Sequence, residues 1–156
     1  KDFDTYCRQV MIQAEACSRW GIHVALHNHL CSLVESQEEL EMFLARCPAC
    51  QLILDTAHLA AAGGDCIAIV RKYPERLQAV HLKDWLELAP GATPWWNRGR
   101  FCELGAGNIG LDNAAVMRAL VEVGFDGWVF VEHDTHLQDP YIDLAISRQY
   151  LRDAGF

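Results

Sequence analysis

The chain has 156 residues, 51% of them hydrophobic and 22% charged, enough for one core and short of the ~250 residues that a full eight-stranded β/α barrel usually needs. A formal net charge of −8 argues against a broad grip on nucleic acid or anionic lipid, because Lys and Arg set against phosphates supply that grip. Seven scattered cysteines do not make the paired framework of a secreted mini-domain, and no run is apolar for long enough to span a bilayer, so a cytoplasmic protein is expected.

The start, KDFDTYCRQV, reads as neither a signal peptide nor an initiator Met, so residue 1 is expected not to be the biological start. Phe3, Tyr6, Cys7, Val10, Ala14 and Cys17 recur at helical spacing and predict a helix over roughly 2–20, handing over to a strand at 22–27. Ser36 and Glu39 form the capping box of a second helix, whose apolar face continues through Leu40, Phe43, Leu44 and Cys47 until Pro48 closes it. QLIL opens the next strand. A small-residue helix broken at Gly63-Gly64 follows, then a helix from Asp65 to about Tyr73 and a strand LQAVHL. Residues 84–109, rich in Gly, Pro and Trp, are expected to be a long irregular loop, which inside a compact domain is usually functional. A helix from about Leu111 ends at Gly124, WVFVE makes the fourth strand, and Asp139-Pro140 caps a last helix running to about Arg152.

Helices and apolar strands that alternate in this way belong to parallel βα units. The expected fold is α/β: a single domain over 1–156, with four strands and about five helices, forming half of a TIM-type (β/α)8 barrel. Such a half exposes two sheet edges, so either an N-terminal barrel half or a homo-oligomer partner is expected to complete it.

Each predicted strand ends on or near a group able to hold a divalent cation: His27 and Glu35, Asp55, His81, and Glu132. Strand ends converge at the C-terminal mouth of a barrel, so these positions describe one site. Carboxylate and imidazole suit Mn²⁺, Mg²⁺, Co²⁺ or Zn²⁺. Open positions on such an ion let a hydroxyketone chelate through adjacent oxygens, which acidifies its carbon-bound proton. A nearby carboxylate then moves that proton to a neighbouring carbon or face, and loss of a β-hydroxyl instead gives dehydration.

The strings HNHLCSLVES, LDTAHLAAAGGD, VHLKDW, FCELGAGNIG and GWVFVEHD, in this order, resemble the xylose-isomerase-like barrel superfamily of sugar phosphate isomerases and epimerases, in the flavour of its inosose dehydratase branch. The resemblance covers nearly the whole chain and corresponds to the C-terminal half of those barrels. It implies metal ligands Glu35, Asp55, His81 and Glu132, with Glu132 and Glu35 as the catalytic carboxylates. Many members carry the first Glu in the strand itself, where this chain has Leu26-His27-Asn28, so His27 is the alternative to Glu35. GAGNIG follows no strand in Rossmann fashion and reads as a turn entering a helix.

The neighbouring residues have roles to match and plainer ones beside them. His27 and His29 line the pocket or merely pack at a strand end; Asp55 and His58 ligate and contact substrate or only cap a helix. Lys83 reaches a phosphate or hydroxyl and Asp84 orients a ligand, or the two form an exposed pair. Glu103 contacts substrate or is solvated; Trp85, Trp95 and Trp96 wall the pocket or cover core; His133 and His136 stand behind the ligands or in solvent. Cys47-Pro48-Ala49-Cys50 has redox or zinc spacing but lacks a second pair and closes a helix instead of opening one. The expected function is a metal-dependent isomerase or epimerase of a sugar or polyol acting through an enediolate, with inosose-type dehydration or a non-catalytic binding module as alternatives. An AP endonuclease would need more His ligands and a basic face.

Overall fold

The computed structural model describes residues 2–135 and 138–156. Helix α1 (Phe3–Ser18) starts on Asp2, whose carboxylate accepts from the Asp4 N–H, and is followed by strand β1 (Ala25–His27). Helix α2 (Gln37–Arg46) opens on the expected capping box: the Ser36 hydroxyl accepts from the Glu39 N–H, and the Glu39 carboxylate accepts from the Ser36 N–H. At its far end the Arg76 guanidinium donates to the carbonyls of Leu44 and Cys47, groups that a helix C-terminus leaves unpaired. Strand β2 (Gln51–Asp55) runs straight into α3 (Thr56–Ala61), and α4 (Cys66–Lys72) and β3 (Leu77–Leu82) follow. Hairpin strands β4 (Asp84–Glu87) and β5 (Gly99–Cys102), helix α5 (Asn113–Glu122), strand β6 (Trp128–Val131) and helix α6 (Pro140–Asp153) complete the order.

Strands β1, β2, β3 and β6 lie side by side, all parallel, as the βα alternation requires. Side chains alternate between the two faces of each strand. Leu52, Leu54, Val80 and Leu82 point toward the helices and are fully buried against Leu40, Phe43, Leu44, Ile69, Val70, Val116 and Leu120. The opposite face carries Ile53 and Asp55, His81, and Trp128 and Phe130, so one parity fills the core and the other builds the mouth of the sheet.

The structure differs from the sequence expectation in two places. The described residues form six α-helices where about five are expected, although the break at Gly63-Gly64 that separates α3 from α4 lies where the sequence places it. Residues 84–109 are not wholly irregular: β4 and β5 pair antiparallel, with Trp85 opposite Phe101. Both strands are four residues long and carry no clear alternation, so aromatic packing decides their pairing. Glycine is required within it, since a Cβ on Gly99 would run into Leu86 O and the Trp85 ring.

On the mouth-side face of the edge strand β6, Trp128 is 74% and Phe130 46% exposed, and their rings stack at 6.1 Å. Apolar surface on an unpaired edge favours association. Sedimentation velocity of the 156-residue chain is therefore expected to show self-association, reduced in the double variant Trp128→Ser, Phe130→Ser. A single monomeric boundary for the unsubstituted chain would contradict this.

Candidate metal centre

Parallel register brings the strand-end groups together. Asp55 sits directly beside His81 in the β2–β3 ladder, and His81 beside Phe130 in the β3–β6 ladder, so Glu132 emerges two residues on from Phe130, on the same face. His27 closes β1 one strand away. Potential ligand atoms of His27, Asp55, His81 and Glu132 all lie within 4.8 Å of one another. His27 Nε2 stands 3.3 Å from Asp55 Oδ2, while His81 Nδ1 stands 2.8 Å from Glu132 Oε2 and 4.0 Å from Asp55 Oδ2. Neighbouring donors on an ion with bonds of ~2.1 Å are roughly 3.0–3.4 Å apart, and these separations bracket that value. Two imidazoles and two carboxylates at this spacing fit a divalent ion.

The first strand-end position belongs to His27 and not to Glu35. Glu35 lies outside the group, in the loop before α2, where its Oε2 accepts from the Cys31 N–H at 2.5 Å. The reason is the position of β1: the strand ends at His27, and eight further residues carry the chain off the sheet before Glu35. Asp55 serves both of its candidate roles. Its Oδ1 caps α3 by accepting from the His58 N–H at 3.0 Å, and its Oδ2 faces His27 and Lys83.

Lys83 departs further from expectation. Its side chain is fully buried, with Nζ 2.9 Å from Glu132 Oε2, 3.1 Å from Asp55 Oδ2 and 3.1 Å from Asp134 Oδ2, so it is neither an exposed pair nor a free hook for phosphate. It shares the mouth-side parity of His81, two residues before it. Burial opposes ionisation of Asp55 and of Glu132, but His27 and the Lys83 charge outweigh it at Asp55, and Lys83 with His81 outweighs it at Glu132; both carboxyls are held below their ordinary values. For Lys83 burial would lower the pKa, yet the charges of Asp55, Glu132 and Asp134 raise it.

A second group adjoins the first. His29, His58 and Asp134 offer ligand atoms within 4.8 Å of one another, and the two imidazole centroids lie 3.6 Å apart with the rings tilted by 34°. His29 Nδ1 lies 2.7 Å from Leu30 O, and an N–H donated there leaves Nε2 with its lone pair. His58 is fully buried, accepts from the Leu30 N–H at Nδ1, and sets Nε2 3.4 Å from Asp134 Oδ2. Burial pulls the His58 pKa down against the pull of Asp134; Asp134 is lowered chiefly by His58.

Asp84 and Glu103 take no part in either group. Asp84 is buried and accepts from the N–H groups of Trp85 and Gly105, which fixes the loop after β5; burial raises its pKa. A Cβ on Gly107 would strike its carboxylate. Glu103 accepts from Gln138 Nε2 at 3.1 Å. Trp85 is fully buried and donates to Glu87, whereas Trp95 sets its ring edge-on, 6.5 Å from His29 and 6.3 Å from His58. Both ring nitrogens of His133 are buried without a hydrogen-bond partner among the described residues, and His136 lies outside those residues.

Sequence reasoning passed over the residues that hold this mouth in shape. The Asn28 amide donates to Asp55 O and accepts from the Asp55 N–H, clamping β1 to β2. The Thr56 hydroxyl accepts from the Lys83 N–H, and the Asn113 amide donates to Lys83 O. All three are fully buried. A neutral polar residue beside a chelator gives no sign of its own; burial is what marks it.

A family model described as a xylose isomerase-like TIM barrel matches residues 1–153. The chain belongs to this family. An inosose dehydratase of Geobacillus kaustophilus is 30% identical over 150 residues, covering 88% of this chain and 48% of the relative. Another, from Lactiplantibacillus plantarum, is 29% identical over 97% of this chain and 54% of its own length. The chain thus spans about half the length of the curated relatives it matches. Among solved structures, a 3-keto-D-glucoside 4-epimerase from E. coli superposes with a TM-score of 0.72 at 18% identity, over 98% of this chain and 56% of that one. The IOLI protein, solved with a bound zinc atom, matches with a TM-score of 0.67 at 20% identity, over 95% of this chain and 52% of that one. These likenesses establish the fold: a parallel α/β unit corresponding to about half of such a barrel.

The clustered charges make stability depend on pH. Asp55, Glu132 and Asp134 have folded pKa values below their unfolded ones, so their contribution is present above the ordinary carboxylate value of ~4 and is lost as pH falls through the folded values. Urea midpoints of the metal-free chain are expected to drop below about pH 4, and less steeply in Lys83→Met, which has no ammonium for those carboxylates to hold. A flat midpoint down to pH 3 would contradict this.

Proposed function

We propose that the strand-end group binds one divalent cation through His27, Asp55, His81 and Glu132, and that the protein abstracts the proton beside a carbonyl of a sugar or sugar-like polyol, passing through an enediolate. The observation that supports this is the closure of four ligand-type side chains from four parallel strands onto one point. Mn²⁺, Mg²⁺, Co²⁺ or Zn²⁺ suits the donors, and the zinc atom of the IOLI structure favours a metal of this kind. When bound, the ion supplies positive charge against the substrate oxygen on which negative charge develops.

The chain's own residues divide the remaining work. Asp55 is fully shielded, whereas the Glu132 side chain is 36% exposed, so Glu132 is the carboxylate that a substrate C–H can reach. Lys83 and His81 keep it ionised at neutral pH and in place. His29 presents the free Nε2 as an acceptor for a substrate hydroxyl, and Trp95 beside it excludes water from one side. Once the proton has left, its return to a neighbouring carbon or face completes an isomerisation or epimerisation. Expulsion of a β-hydroxyl completes a dehydration instead. The names of the sequence relatives favour dehydration of an inosose-type ketone, and those of several structural neighbours favour epimerisation. Because the sequence relatives named as dehydratases are 29% and 30% identical and the epimerase structure only 18%, we place dehydration first and epimerisation second. A small polyol, not nucleic acid or a membrane, is the proposed partner, and among the described residues no helix is long and apolar enough to cross a membrane. The cytoplasm is the proposed compartment, since the seven cysteines are free thiols, as a reducing environment keeps them. Burial pushes the thiols of Cys47, of the C-x-x-C pair, and Cys102 up to about 12, so both stay protonated.

Incubation with inososes and ketoses in deuterated water is expected to give deuterium exchange at the carbon next to the carbonyl, with loss of water from inososes. Glu132→Gln should cost on the order of 10²–10⁴ in exchange rate and also lower bound metal. Asp55→Asn should lower bound metal while leaving α3 capped, since an amide oxygen still accepts from the His58 N–H. Full exchange activity in Glu132→Gln would remove Glu132 as the base.

A further inference from the structure

The His29, His58 and Asp134 group has donors suited to a second ion beside the first, and its relation to Lys83 decides whether one binds. The ammonium of Lys83 stands between the two groups. It is 2.9 Å from Glu132 Oε2 and 3.1 Å from Asp55 Oδ2 on one side, and 3.1 Å from Asp134 Oδ2 and 3.5 Å from His58 Nε2 on the other. Its remaining side faces the Phe101 ring, 4.7 Å from the centroid. The lysine is fully buried, so the charge cannot swing away into solvent. Two cations sharing the same oxygens repel, and most strongly at Asp55, which like Lys83 is fully buried. The tautomer of His58 agrees with this arrangement: with Nδ1 accepting from the Leu30 N–H, Nε2 carries the hydrogen and points it at Asp134 instead of offering a lone pair.

We propose that Lys83 is a built-in second cation, which limits this mouth to a single divalent ion and weakens the grip on that ion by sharing the oxygens of Asp55 and Glu132. The inference rests on the metal reading of the strand-end group given above. It assigns the second group a latent role: His29 and Asp134 become open to a second ion once the ammonium is gone, and His58 joins them when its proton moves from Nε2 to Nδ1 and the bond from the Leu30 N–H is given up. Removal of the charge alone, in Lys83→Met, tightens the first ion while the side chain still fills the space. Removal of charge and bulk, in Lys83→Ala, also opens the second position.

The test is a titration of the purified protein and its variants with Mn²⁺ alone, read by equilibrium dialysis and by the electron paramagnetic resonance of free Mn²⁺, with circular dichroism as the check on folding. The parent is expected to bind one equivalent. Lys83→Met should bind one equivalent at least tenfold more tightly, and Lys83→Ala two, falling back to one when Asp134→Asn is added. The parent needs no folded variant to be informative: two equivalents bound to it would overturn the proposal. One equivalent of unchanged affinity in folded Lys83→Met and Lys83→Ala would overturn it as well while sparing the metal reading. No binding by the parent and by both variants would remove the metal reading and this inference together.

Discussion

Three carboxylates, Asp55, Glu132 and Asp134, converge within reach of one buried ammonium, and the mouth of the sheet is built around holding that arrangement together. Like charges gathered around a fully buried one, here Asp55, destabilise a fold unless positive charge is fixed among them. Lys83 provides that charge from the polypeptide itself. Strand β3 can deliver it because His81 and Lys83 are two residues apart, on one face of an extended chain, so an imidazole and an ammonium enter the site from a single strand.

Rigid positioning of this strand follows from its backbone partners. Thr56 and Asn113 bind the peptide groups of Lys83, and Asn28 binds those of Asp55, so each charged side chain starts from a backbone fixed by a buried neutral residue. The β4–β5 hairpin then covers the group with Phe101 and Trp95, while Asp84 ties the loop that follows it. A site of this kind depends on its supporting shell as much as on its ligands, because small displacements of ligand atoms change what they can bind. The charge pattern also explains how two imidazole pairs so close together can differ in character: His27 and His81 face carboxylate oxygens across the sheet, whereas His58 is tied to the Leu30 backbone and to Asp134.

The parallel sheet was legible because its signals are local. LQAVHL coincides with β3, the Ser36–Glu39 box opens α2, and Asp139-Pro140 caps α6, each decided by residues adjacent in sequence. Asp55, His81 and Glu132 were legible for the same reason, as polar residues closing apolar runs. The first strand-end group was harder: Glu35 is the stronger ligand type and lies in the same string, but only the register of β1 shows that His27 reaches the sheet mouth. The hairpin escaped notice because its pairing depends on Trp85 meeting Phe101 across a loop rich in Gly and Pro. Lys83 looked like a solvent-facing hook, since nothing in VHLKDW reveals that three carboxylates from other strands and loops close over it. Long-range electrostatics leaves no trace in local sequence.

The proposed metal position lies where the strand ends of β1, β2, β3 and β6 converge, with His27 as its proposed ligand from β1. Anomalous diffraction from crystals grown with Mn²⁺ tests it directly. The account predicts one strong anomalous peak at the centre of His27, Asp55, His81 and Glu132, with Glu35 still turned toward the Cys31 N–H. A peak bound by Glu35 in place of His27, or no peak among the four strand ends, would contradict it.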